Sequence, residues 1–136
     1  MGLPGAGKTT LAKILAPRLR AVHFNADDVR CHINKDLGFS ENDRIEQARR
    51  MGWLCDQVVA AGHFAIADFI CPTAMTRSAF AEGGEPLLIW VDRIKYGRFE
   101  DTNRLFEPPS QFALRIEADG SPEMWAERTM NLIGLA

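Results

Sequence analysis

With 136 residues, 46% hydrophobic and 25% charged, the chain has the size and balance of one soluble domain, residues 1–136, able to bury its own core. A formal net charge of −2 gives no basic footprint for nucleic acid, and no apolar run approaches the ~18 residues of a membrane span. Cys31, Cys55 and Cys71 are odd in number, lie far apart and match neither a disulfide framework nor a C-x-x-C metal pattern, so a reducing cytoplasm is expected.

The strongest signal comes first in the chain. Gly2-Leu3-Pro4-Gly5-Ala6-Gly7-Lys8-Thr9, followed by Thr10, spells G-x-x-x-x-G-K-[ST], the Walker A phosphate-binding loop. Its glycines let the backbone wrap a phosphate, with successive N–H groups pointing inward at the head of the following helix. Lys8 can then reach the β- and γ-phosphates of ATP, and the Thr9 hydroxyl can sit on Mg²⁺. Such a loop normally hangs from a buried strand. Here it begins at residue 2, so the first strand is expected to be missing, and a signal peptide with it.

A helix is predicted over 8–19, with Leu11, Ile14, Leu15 and Leu19 on one stripe and Pro17 set to kink or end it. Residues 21–25 read as a strand. Ala26-Asp27-Asp28-Val29-Arg30 clusters polar groups at its carboxyl end, where open α/β sheets bind ligands. Residues 34–40 have loop composition, with Phe39 at the tip. Ser40 is a predicted N-cap, and the helix it opens over 41–61 buries Ile45, Ala48, Met51, Leu54, Cys55, Val58 and Val59 before Gly62 closes it. Residues 64–70 have the apolar density of a strand covered on both faces, interrupted by Asp68 near the carboxyl end.

A short helix over 73–82 should stop at Gly83-Gly84, and 87–91 form a second apolar strand. Residues 93–109 are polar and contain Pro108-Pro109, which reads as one long functional loop. A fourth strand over 112–116 and a helix capped by Ser121-Pro122-Glu123 and running to about 132 complete the chain. Alternating strands and helices predict a parallel sheet with right-handed crossovers. With the loop, this is the α/β fold of P-loop NTPases, of the nucleotide-kinase type.

No GTPase switch motif and no N-K-x-D is visible. Transfer of a phosphoryl group to a small acceptor needs a positioned acceptor, Mg²⁺ and cationic clamps, with little covalent work by the protein. Arg30, Arg44, Arg49 and Arg50 are the candidate clamps, and the first two flank a carboxylate and an aromatic loop on the ligand side.

The loop, Asp27-Asp28-Val29-Arg30, and the segment Asn34-Lys35-Asp36-Leu37-Gly38-Phe39-Ser40-Glu41-Asn42-Asp43-Arg44 together resemble the adenylylsulfate kinase family. The similarity runs on through Arg49-Arg50-Met51-Gly52, Ala61-Gly62 and Phe69-Ile70-Cys71-Pro72, to about residue 77. The resemblance implies an enzyme that moves the ATP γ-phosphoryl, with Mg²⁺, to the 3′-hydroxyl of adenylyl sulfate. It implies Lys8 and Asp27 as catalytic residues, with Thr9 and Asp27 toward the metal; a carboxylate can accept a hydroxyl proton or ligate Mg²⁺. It implies acceptor contacts from Arg30, Asn34, Phe39, Arg44, Gln47, Ile70, Cys71, Pro72 and Phe99, with Phe39 stacked on adenine and the arginines facing anionic oxygens. The implied partner is a small molecule, with no nucleic acid or membrane, and a homodimer is compatible with it.

The departures are specific. The family's D-G-D is Asn25-Ala26-Asp27 here, its Asn after D-R-x-E is Gln47, and Cys71 replaces the serine of its phosphoserine intermediate. Asp68 replaces a small residue and is a candidate further Mg²⁺ ligand. The family's basic lid is reduced to 92–99, with Arg93, Lys95 and Arg98. Two other readings fit the same loop: a related P-loop kinase for another small acceptor, and a nucleotide-binding protein without turnover.

Overall fold

Parallel pairing organises the computed structural model, which describes residues 1–135. The elements run α1 (Lys8–Leu19), β1 (Val22–Asn25), α2 (Ala26–His32), α3 (Glu41–Ala60), β2 (Ala65–Asp68), α4 (Ala74–Phe80), β3 (Ile89–Val91), α5 (Glu100–Leu105), β4 (Leu114–Ile116) and α6 (Pro122–Leu132). Strand β1 pairs with β2 from Val22↔Ala65 to Asn25↔Asp68, and β3 with β4 from Ile89↔Leu114 to Val91↔Ile116, both in parallel.

Met1 and Gly2 lie between these two ladders. The Met1 amine donates to the Ile89 carbonyl at 2.7 Å. The Val91 N–H donates to the Met1 carbonyl at 2.8 Å, and the Gly2 N–H to the Ile70 carbonyl at 3.2 Å. Among the described residues no regular strand precedes the phosphate loop. Met1 and Gly2 nonetheless make hydrogen bonds of the kind a central strand makes, and so tie the loop to both ladders.

Helices α1 and α3 both pack on β1 and β2; α6 packs on α1, and α4 on α3. Leu11 and Leu15 of α1 meet Val91, Ile116, Trp125 and Ala126 in the buried core. Truncating a leucine of this kind costs about 2–5 kcal/mol. Gly7 enters α1 with φ of 104°, a left-handed backbone that glycine adopts without strain. Pro17 sits in the last turn without ending the helix, which runs two residues further and closes at Arg20, φ 50°, whose N–H donates back to the Ala16 and Pro17 carbonyls. Gly52 of α3 lies so close to α4 that a Cβ there would collide with the Phe80 backbone.

One helix was not anticipated, and three expectations need correction. The cluster 26–30 is helical, because Asn25 Oδ1 accepts from the Asp27 and Asp28 N–H groups at 3.0 and 3.2 Å and two acids occupy the first turn. The segment 93–109 contains α5 and is not a continuous loop. Strand β2 is shorter than 64–70 and largely half-buried. Val59 is 59% exposed, because the last turn of α3 extends into solvent, with Ala60 exposed beside it.

Candidate active site

The carboxyl ends of β1 and β2, the phosphate loop, the 33–40 segment and the start of α5 enclose a cleft of about 500 Å³. From the loop, Pro4, Gly5, Lys8 and Thr9 line it. Leu3 and Ala6 are buried beneath, Gly2 is buried at the strand junction, Gly7 is half-buried, and Thr10 is exposed. The Lys8 ammonium donates to the Leu3 carbonyl at 2.9 Å. Burial holds its pKa below the usual lysine range, while Asp68 and Asp27 pull it back up.

Beside Lys8, polar groups converge on one carboxylate. The Thr9 hydroxyl donates to Asp68 Oδ2 at 2.7 Å and Asn25 Nδ2 donates to the same oxygen at 3.0 Å. His23 Nε2 lies 3.2 Å from it. Asp68 is 4% exposed, and among the described residues its other oxygen, Oδ1, is a buried side-chain oxygen with no hydrogen-bond partner. Asp27 also lines the cleft but is exposed. This oxygen-rich corner suits Mg²⁺, which takes few protein ligands and relies on nucleotide phosphates for others. Among the described residues no three His, Cys, Asp or Glu side chains group as a self-sufficient metal site.

The opposite wall is arginine and aromatic. Phe39 is 67% exposed, with the Arg30 guanidinium 4.5 Å and the Arg44 guanidinium 5.7 Å from its ring centre. The two cations are fixed by backbone: Arg30 donates to the Gly38 carbonyl at 2.6 Å and Arg44 to the Phe39 carbonyl at 3.0 Å. Burial and its neighbour Arg44 lower the Arg30 pKa. Asp43 completes the hold by accepting from the Gly38 N–H at 2.9 Å.

Gln47, Ile70, Cys71, Pro72 and Phe99 all line the cleft. Gln47 is buried and donates to the Ala26 carbonyl at 3.2 Å, which ties α3 to the start of α2. Cys71 is 4% exposed with φ of 49°, a strained backbone for a non-glycine residue. Burial pushes its thiol up to about 11, so near neutral pH it is not a thiolate nucleophile.

Asn34 is the residue the structure does not bring to the cleft lining. It is 1% exposed, its Nδ2 donates to Gln47 Oε1 at 2.6 Å, and its Oδ1 accepts from Arg50 at 3.1 Å. With its donor and its acceptor engaged, it pins the 33–40 segment to α3. Arg49 and Arg50 are likewise spent on Glu46, and Arg50 also on Asp36.

Arg98, Asp101 and Thr102 line the cleft from around the start of α5 without having been expected there. The acids Glu100 and Asp101 just after Phe99 were the available signal for a helix start. Among the described residues, no helix is long and apolar enough to cross a membrane.

A glycine-rich loop at the head of α1, poised at the carboxyl edge of a parallel sheet, defines the fold as a P-loop α/β domain of the nucleotide-kinase type. The sequence profile of the adenylylsulphate kinase family matches residues 1–93, and the chain belongs to that family. It is 40% identical over 97 residues to the adenylyl-sulfate kinase of Synechococcus sp. (strain JA-3-3Ab), covering 67% of this chain and 55% of that protein. It is 30% identical over 163 residues to the bifunctional enzyme CysN/CysC of Xylella fastidiosa, covering 98% of this chain and 26% of the other. The chain thus spans about half or less of the length of these curated relatives. In structure it is similar to the Mycobacterium tuberculosis APS kinase CysC in complex with AMPPNP and APS: TM-score 0.85, 23% identity, 98% of this chain and 94% of that one. A sugar kinase from Janibacter sp. shares the fold, with TM-score 0.79, 20% identity, and 100% and 92% covered.

Proposed function

We propose that the protein transfers the γ-phosphoryl group of ATP to the 3′-hydroxyl of adenylyl sulfate. The observation that carries this reading is one cleft with a phosphate loop on one wall and Phe39, flanked by Arg30 and Arg44, on the other. Family membership supports adenylyl sulfate as that acceptor. Transfer forms a bond from the acceptor oxygen to phosphorus, breaks the bond to the β-phosphate oxygen, and releases the hydroxyl proton.

In this mechanism the loop amides and Lys8 hold the β- and γ-phosphates, and Lys8 exchanges the Leu3 carbonyl for phosphate oxygen as it does so. Asp27, exposed on the cleft wall, serves the acceptor hydroxyl or the metal. Mg²⁺, held from Thr9 and a nearby carboxylate, would neutralise charge on the phosphates. Phe39 gives the adenine a face, and Arg30 and Arg44 turn from the ring toward phosphate and sulfate oxygens. Ile70, Cys71, Pro72 and Phe99 shape the acceptor side. The buried, protonated Cys71 fits direct transfer without a phosphoenzyme. Asn34 acts from behind, by holding the Phe39 segment in place.

The test is a coupled assay of ADP release, offering adenylyl sulfate beside a panel of nucleosides and small alcohols. The expected result is release that depends on adenylyl sulfate; release with another acceptor and not this one overturns the reading. Self-association as a homodimer belongs to the same proposal, supported by the exposed Trp53 on α3, and light scattering checks it.

A further inference from the structure

We propose that Asp68 is the carboxylate that serves the nucleotide-bound Mg²⁺, at the corner where Asn25 stands in place of the family's acid, and that Asp27 is thereby left to the acceptor hydroxyl. The inference rests on the nucleotide-kinase reading above and assigns the two cleft carboxylates different work.

The register carries it. Asn25 and Asp68 are direct partners across the parallel β1–β2 ladder. Partners in register project to the same face of a sheet. A carboxylate moved from one strand to the next at that level therefore still meets Thr9, and Asp68 does so at 2.7 Å, while the amide at position 25 is 3.4 Å from the same hydroxyl. The acid has changed strands without leaving the corner.

The hydrogen-bond arrangement gives the exchange a purpose. A threonine hydroxyl has one proton to donate and two lone pairs. Thr9 gives its proton to Asp68 and receives at most a long contact from Asn25, so a lone pair stays open. On Asp68 the polar contacts crowd onto Oδ2, from Thr9, Asn25 and His23, while Oδ1 stays buried and unpartnered among the described residues. A bare buried carboxylate oxygen costs about 1–3 kcal/mol or more. A cation, or a water on that cation, removes this cost, and Mg²⁺ characteristically keeps several waters. Asp27 has no comparable setting. It is exposed, and the bond that anchors it is its backbone N–H to Asn25 Oδ1. It is free to swing with an acceptor.

The experiment is calorimetric titration with a non-hydrolysable ATP analogue, in Mg²⁺ and in EDTA, alongside Mn²⁺ resonance spectra of the analogue complex. Asp68→Asn should lose about 10- to 100-fold of the metal-dependent gain in affinity, with the metal-free affinity unchanged. Asp27→Asn should keep the metal-dependent gain and lose turnover. The exchange variant Asn25→Asp/Asp68→Asn should recover the gain and the Mn²⁺ signature, which a merely structural loss at 68 would not allow. Retention of the gain by Asp68→Asn, its loss in Asp27→Asn, or no recovery in an exchange variant that melts like wild type each overturns the assignment, as does a wild-type protein whose affinity ignores the metal. Adenylyl sulfate is absent from every titration. Failure to phosphorylate it would sink the proposed acceptor and leave this assignment standing.

Discussion

The two walls of the cleft are built on different plans. On the nucleotide side, Lys8, Thr9, Asn25, His23 and Asp68 are at least half-buried and bonded to protein groups. On the side of α5, Phe99 is 53% exposed, and the helix has only six residues. The 33–40 segment lies between these extremes, exposed at Phe39 but fixed by Arg30, Asp43 and Arg44. On the proposed kinase reading, groups that meet the same phosphates in every cycle are set in place beforehand, because ordering them on binding would cost affinity. Groups that would admit and release the proposed acceptor stay open, as lids do.

Removing the central cation of the ordered wall should have the largest effect. Lys8→Ala is expected to lower kcat by about 10²–10³-fold with little change in Tm, since its main protein contact is one carbonyl in the loop. Steady-state kinetics beside a thermal melt checks this, and a collapsed melt would show the lysine to be structural. Phe39→Ala should raise the KM for adenylyl sulfate by about tenfold, a base-stacking loss of roughly 1–3 kcal/mol, and leave the KM for ATP unchanged. The same change at Phe99 should cost less, because its wall is loosely held; equal effects would erase the contrast between the walls.

Thiol chemistry reads the burial directly. With the Cys71 thiol pushed up to about 11, its alkylation should stay slow at neutral pH and quicken only in strongly alkaline buffer, well after the exposed Cys31 has reacted. Peptide mapping of the labelled protein follows both sites. Saturating nucleotide should slow Cys71 further, because the residue lines the cleft.

The smallest effect concerns the arginines held away from the cleft. Arg49 and Arg50 hold Glu46 down to about 2, against an ordinary 4.5. A depressed folded pKa means stabilisation that is full above about 4.5 and lost as the pH falls toward 2. Glu46→Gln should therefore cost a few tenths to about 1 kcal/mol at pH 7, and the difference from wild type should fade over that acid window. Denaturant melts at stepped pH check it.

Legibility in the sequence followed the strength of local signals. Helices α1, α3 and α6 were readable nearly to the residue, because the apolar period and the caps at Ser40 and Ser121 agree. Helix α2 was not, since Asn25 closes a strand and caps a helix at once, and a residue with two duties shows only one to a linear reading. The role of Asn34 was hidden for another reason. The motif places it beside the acceptor segment, but only the fold aims its amide at Gln47 and Arg50. Most of the cleft lining was legible from the motifs; the register opposition of Asn25 and Asp68 was not, because it needs the distance between two strands forty-three positions apart in sequence.

The bond from Lys8 to the Leu3 carbonyl has a consequence for how tightly nucleotide is held. A phosphate that binds Lys8 must take the ammonium from that carbonyl, replacing one acceptor with a better one. Association gains only the difference between the two bonds, which on the proposed reading favours quick exchange of ADP for ATP over long residence. A loop that keeps its own substitute for phosphate is suited to turnover more than to storage.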